Sequence, residues 1–193
     1  MELPNKKYQI IYADPPWDIG GYQKELRNGF TARELPYGTM SDSDIINLPI
    51  QNIVSDDAIL FMWCCDSKIP LIESIMTAWG FNFRCLGFIW NKKAKTTNGT
   101  NAPYSMFTRR SCEYCFIGVR GKYLIKRHDI NQLVSTPKSD HSSKPGTFRT
   151  LIIQLCGDLP RIELFTRDNI EGWDAWGNQV PSHCQKLLVT NGD

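Results

Sequence analysis

A chain of 193 residues with 41% hydrophobic and 22% charged residues carries enough apolar material for one compact α/β domain. Its net charge of +2 excludes a global basic field, so any nucleic acid must be held by local patches. No apolar run approaches the ~18 residues of a membrane span, the polar start Met1–Tyr8 lacks a signal-peptide core, and an odd count of seven cysteines suits free thiols in a reducing cytoplasm.

Ile10-Ile11-Tyr12-Ala13 is rich in β-branched and aromatic side chains and reads as a buried strand. Asp14-Pro15-Pro16-Trp17 stops it, because each proline fixes φ and removes an N–H donor. The chain therefore turns rigidly at a strand's carboxyl end, which is where ligands sit in open α/β sheets. There the Asp14 carboxylate and the Pro15 carbonyl can accept both N–H bonds of an exocyclic amine, and Trp17 offers a plate for a planar ring. From Asp18 to Met40 adjacent glycines and mixed charge predict a loop, which either contacts nucleic acid or cofactor or is a surface loop that touches nothing.

Ser41 caps a helix, with Asp44 three residues later and Ile45, Ile46 and Leu48 behind it. Asp57–Trp63 is a continuous apolar run, as in a central parallel strand covered on both faces. Ser67–Trp79 reads as a helix with Pro70 in its first turn and Gly80 past its end, and Phe83–Trp90 as a further strand. This alternation predicts a Rossmann-like α/β fold, a mostly parallel sheet flanked by helices.

Asn91–Arg110 lacks an apolar period and holds Lys92, Lys93, Lys95, Arg109 and Arg110 with Tyr104 and Phe107 interleaved. Such a loop suits phosphate contacts and base stacking; a solvated loop without a partner is the alternative. Cys112–Val119 reads as a strand, Gly121 as a turn, and Tyr123–Ile125 as a short strand pairing back. Cys112 and Cys115 have the spacing of a metal pair, but no second pair follows and His128, His141 and His183 are scattered, so no metal is expected. Ile130–Ser135 leads into a polar loop, Thr136–Lys144. Pro145 then opens a helix whose Phe148, Leu151, Ile152 and Leu155 share one face, and Gly157 and Pro160 end it. Arg161–Arg167 is a strand in which Glu163 and Arg167 offer what a ribose and a carboxylate-bearing cofactor need. In Gly177-Asn178-Gln179 two amides can bond a ribose and a purine edge, although loop amides are commonly just solvated.

Taken in order, Asp14-Pro15-Pro16-Trp17, Leu35-Pro36-Tyr37-Gly38-Thr39-Met40, Lys144-Pro145, Ile162-Glu163-Leu164-Phe165 and Gly177-Asn178-Gln179 resemble a known family. It is that of the S-adenosylmethionine-dependent N6-adenine methyltransferases, which unites the eukaryotic mRNA adenosine methyltransferase with prokaryotic and phage relatives. The resemblance implies one methyltransferase domain over residues 1–193 with loops at about 18–40, 91–110 and 136–144, the catalytic motif preceding the cofactor strand. It implies catalysis by Asp14, Pro15, Pro16 and Trp17, and S-adenosylmethionine held by Asp14, Pro15, Lys144, Glu163, Phe165, Arg167, Asn169, Asn178 and Gln179. Tyr37, Lys92, Lys93, Lys95, Tyr104, Arg109 and Arg110 are the candidates for the substrate, adenine in nucleic acid, with DNA favoured over RNA. A homodimer or a partner subunit stays open.

Two departures stand out. The spacer Gly20–Glu34 is longer than in the eukaryotic enzyme, and no acidic and aliphatic pair precedes Asp14 to touch the cofactor adenine. The tail Pro181–Val189 is the candidate to close that pocket, since no G-x-G-x-x-G loop replaces the pair. The competing readings are a non-catalytic nucleic-acid-binding partner subunit and a small-molecule methyltransferase acting on an amino-purine. A cytosine-N4 enzyme would use the same amine logic, but its relatives usually carry Ser where Asp14 stands.

Overall fold

A computed structural model describes residues 2–18, 38–93, 108, 110–137 and 144–178. The strands are β1 (Tyr8–Ala13), β2 (Val54–Cys64), β3 (Asn82–Lys93), β4 (Cys112–Arg120), β5 (Leu133–Pro137), β6 (Arg161–Leu164) and β7 (Asp174–Trp176). The helices are α1 (Asp42–Ile46), α2 (Ile72–Ala78) and α3 (Thr147–Cys156), with short 3-10 turns at Ile50–Ile53 and Asp66–Leu71.

Among the described residues the strands form one seven-stranded sheet in the order β5-β3-β4-β2-β1-β6-β7. β1 lies between β2 and β6, parallel to both. β4 is antiparallel to β2 and to β3, while β5 follows β3 and β7 follows β6 in parallel. The sheet is thus mostly parallel and Rossmann-like, with β4 as the reversed strand. β2 is central and covered on both faces, but parallel on one side only. Its alternate side chains explain the unbroken apolar run. Leu60, Met62 and Cys64 join one core with Ile45, Ile75 and Trp79, while Ile59, Phe61 and Trp63 join the other with Phe148 and Ile152. α1 and α2 cover the first face and α3 the second.

Several boundaries differ from the sequence reading. The expected helix over Ser67–Trp79 divides into a 3-10 turn and α2, because Pro70 has no N–H for the helical ladder. Pro145 stands just before α3, its carbonyl accepting the Phe148 N–H at 3.1 Å. β3 runs three residues beyond Trp90, so Lys92 and Lys93 lie on a strand rather than in a loop. Thr136 and Pro137 likewise belong to β5, and Tyr123–Ile125 is not a strand. β6 stops at Leu164, because Phe165 takes φ 63, outside the strand region.

Candidate active site

The site is a cavity of about 490 Å³ at the carboxyl ends of β1, β2 and β6, within the range of small-ligand pockets. Asp14, Pro15, Pro16 and Trp17 form one wall. The Pro15 carbonyl accepts the Trp17 N–H at 2.9 Å and keeps a second lone pair; the Pro16 carbonyl accepts the Met40 N–H at 2.9 Å. Trp17 is no loose plate: it is 8% exposed, with its indole N–H donated to the Trp63 carbonyl at 3.3 Å.

Opposite charges alternate across the cavity. Lys144 Nζ donates to Asp14 Oδ2 at 2.5 Å and lies 3.1 Å from Glu113 Oε2. Lys92 pairs with the same Glu113. The Lys144 ammonium also sits 5.2 Å from the Trp63 ring centroid. Burial disfavours its charge, yet Asp14 and Glu113 outweigh that and hold the Lys144 ammonium well above its ordinary pKa. Burial likewise works against a charged Glu113, but Lys144 and then Lys92 bring it below the usual carboxylate range. Asp14 is pushed up by burial, with Lys144 opposing.

The other wall comes from β6 and the turn after it. Glu163 is gripped by both ends of the Arg149 guanidinium, at 2.6 Å from Nε and 2.8 Å from Nη2. Thr166 closes the turn, its Oγ1 donating to the Asp168 carbonyl at 3.1 Å and accepting the Asp168 N–H at 3.2 Å. Phe165 lies 5.5 Å from Trp176 edge to face. Gly177 brings the chain close against this turn, since a Cβ there would stand 2.3 Å from the Thr166 carbonyl oxygen.

Of the predicted residues, Asp14, Pro15, Pro16, Trp17, Lys92, Arg110, Lys144, Glu163, Phe165, Arg167 and Asn178 all line this cavity. Lys93 and Asn169 do not line it, and Arg110 is paired with Asp66 at 3.0 Å on the rim. Tyr37, Lys95, Tyr104, Arg109, Gln179 and the tail Pro181–Val189 lie outside the described residues. Among the described residues no group of three His, Cys, Asp or Glu is placed to hold a metal, and the six cysteines described are free thiols.

Glu113 and Arg149 were not among the sequence candidates. Each had a signal: an acid inside the apolar run Cys112–Val119 and an arginine beside the apolar stripe of α3 both need a buried partner. The residues fit S-adenosylmethionine. Cations at Lys144 and Arg167 suit its carboxylate, an acid and an amide at Glu163 and Asn178 suit its ribose, and Phe165 offers an apolar face.

Comparison with known proteins gives the same pattern of ancestry. The chain is 32% identical to the Type II methyltransferase M.MunI of Mycoplasma sp over 94% of its length, covering 82% of that protein. It is 29% identical to the human N(6)-adenosine-methyltransferase catalytic subunit METTL3 and 25% identical to an Arabidopsis thaliana N(6)-adenosine-methyltransferase, MT-A70-like. Each of these two is matched by 90% of the chain, which spans only 28% and 24% of their lengths. The MT-A70 family profile matches residues 8–179, from the first residue of β1 to just beyond β7, and the chain belongs to the MT-A70 family.

Proposed function

We propose that the chain, read as one methyltransferase domain, transfers a methyl group from S-adenosylmethionine to the N6 amino group of adenine in nucleic acid, with DNA favoured over RNA. The observation that carries this is the pair of acceptors Asp14 and Pro15 at the end of β1, in one cavity with Lys144, Glu163 and Asn178. When bound, S-adenosylmethionine supplies an electrophilic methyl group on a sulfonium.

An aromatic exocyclic amine is a poor nucleophile because its lone pair is delocalised into the ring. Asp14 and the Pro15 carbonyl, accepting one N–H each, draw the nitrogen toward tetrahedral geometry and free that pair. Lys144 engages Asp14 Oδ2, so Oδ1 is the oxygen assigned to the amine. Positioning of this kind is worth roughly 7–11 kcal/mol of barrier, with the oriented charges of Asp14 and Lys144 adding to it. The base must leave its stack to enter, which costs a few kcal/mol in duplex and less in a single strand.

The DNA preference rests on extent: M.MunI, named a type II methyltransferase, is matched over 82% of its length and METTL3 over 28%. RNA is the second reading, favoured by the adenosine methyltransferase names of the eukaryotic relatives.

The test incubates the protein with labelled S-adenosylmethionine and, separately, duplex DNA, single-stranded DNA and RNA, followed by digestion to nucleosides and mass analysis. N6-methyldeoxyadenosine, lost in Asp14→Ala, is expected. N6-methyladenosine from RNA alone would overturn the DNA preference. No product on any polymer, together with no cofactor binding, would favour a non-catalytic subunit.

A further inference from the structure

We infer that Arg149 is a positioning residue for Glu163, and that the segment from Lys144 to Arg149 holds the acids at the ends of the catalytic and cofactor strands through one cation on each. The inference rests on the reading that Glu163 contacts the cofactor.

β1 and β6 are parallel neighbours, with Tyr12 opposite Glu163 and Asp14 two residues further on. Both acids therefore emerge at one end of adjacent strands. Lys144, just before α3, holds Asp14 at 2.5 Å; Arg149, in the first turn of α3, holds Glu163 at 2.6 and 2.8 Å. The helix that carries Arg149 is fixed by Phe148, Ile152 and Cys156, all fully buried against the sheet. A planar guanidinium bonded through two nitrogens fixes both the position and the plane of the carboxylate, which a lysine ammonium cannot. Two of roughly four lone-pair sites on Glu163 are used, which leaves acceptors to face the cavity.

Among the described residues, the charged and titratable groups acting on Glu163 include Arg149 from α3, Tyr12 from β1, Asp14 just past its end, and Asp168 from the turn after β6. Arg149 is the cation among them. Burial raises the Glu163 carboxyl, the two aspartates raise it further, and Arg149 opposes. Without Arg149 the group takes up a proton at higher pH and loses acceptor capacity for ligand hydroxyls.

The experiment measures S-adenosylmethionine affinity by calorimetric titration of the full chain across a mildly acidic to mildly alkaline series. It compares native protein, Arg149→Met, Arg149→Lys, Glu163→Gln and Arg149→Met/Glu163→Gln, with circular dichroism as a folding check. Arg149→Met is expected to weaken binding about 10–100-fold near neutral pH, the range for removing a partner that orients a ligand-contact group. That affinity should recover as pH rises, Arg149→Lys should fall between, and the double variant should bind no worse than Glu163→Gln. A folded Arg149→Met that binds as native, or one weakened equally at every pH and additively with Glu163→Gln, overturns the inference. Should Arg149→Met not fold, Arg149→Lys carries the test, with native affinity at every pH as the overturning result. Native affinity in Glu163→Gln would instead sink the cofactor reading of Glu163, and the inference with it.

Discussion

Lys144 Nζ reaches Asp14 Oδ2 at 2.5 Å across 130 positions of sequence, joining the start of α3 to the end of β1. The same ammonium touches Glu113, which also receives Lys92, so a cation–anion–cation–anion row spans the cavity from β3 to β1. The row contains two charges of each sign, which lets four ionised groups share a partly enclosed site without a large net charge.

Lys144→Met should slow methylation by about 10–100-fold, less than loss of a partner in a fully buried pair because Asp14 keeps 34% of its side chain exposed. It should also move the acid limb of the rate profile. Burial raises the Asp14 carboxyl and Lys144 lowers it, so removing Lys144 raises it further. The charged Asp14 then appears only at higher pH, and the limb shifts upward. Single-turnover rates against pH check this; a limb in its native place would remove Lys144 from the electrostatics of Asp14.

Glu113→Gln tests the middle of the row. Lys144 and Lys92 outweigh burial and lower the Glu113 pKa in the folded chain. A lowered carboxyl stabilises the fold above its unfolded pKa, and that stability is lost as pH falls through the folded value. Native protein should therefore be more stable than Glu113→Gln near neutrality, by about 1–3 kcal/mol, and the two should converge in acid. Urea unfolding at both pH values measures the gap. A gap that stays constant would refute the ion-pair account.

Tyr12→Phe addresses the floor of the site. Trp63 Nε1 donates to the Tyr12 hydroxyl at 2.7 Å, and both rings are buried. Removing the hydroxyl strands the indole N–H, at a cost of about 1–3 kcal/mol. Trp63→Phe removes the donor as well as ring volume, and the double variant should cost less than the sum of the singles. Denaturant midpoints of the three variants decide; strict additivity would mean that the bond contributes nothing.

The elements legible in the sequence were those whose local chemistry agreed with their tertiary setting. Asp14-Pro15-Pro16-Trp17 ended β1 where the prolines required, Ser41 capped α1 by accepting the Asp44 N–H, and the two-faced core explained the apolar run of β2. The reversal of β4 was not legible, because strand direction depends on which neighbour a strand meets rather than on its own residues. Nor were Glu113 and Arg149, whose meaning lies in partners 31 and 14 positions away that only folding brings near. The end of β6 was missed because Phe165 adopts φ 63 without a glycine to announce it.

Gly177→Ala is expected to damage the site from behind. The added Cβ would stand 2.3 Å from the Thr166 carbonyl oxygen and 3.0 Å from its nitrogen, and backbone atoms cannot rotate away. The turn they belong to is held by the two Thr166–Asp168 hydrogen bonds, so β7 must move instead. Overpacking of this sort costs about 1–3 kcal/mol, and displacing β7 carries Asn178 away from Glu163. Stability and S-adenosylmethionine affinity should therefore fall together. Gly38→Ala is the matched control, because Gly38 also lines the cavity but, among the described residues, nothing lies within 4 Å of its added Cβ. Urea unfolding and calorimetry on the two variants separate the cases. If Gly177→Ala behaves like Gly38→Ala, the close approach of β7 to the turn after β6 does not hold the cofactor wall in place.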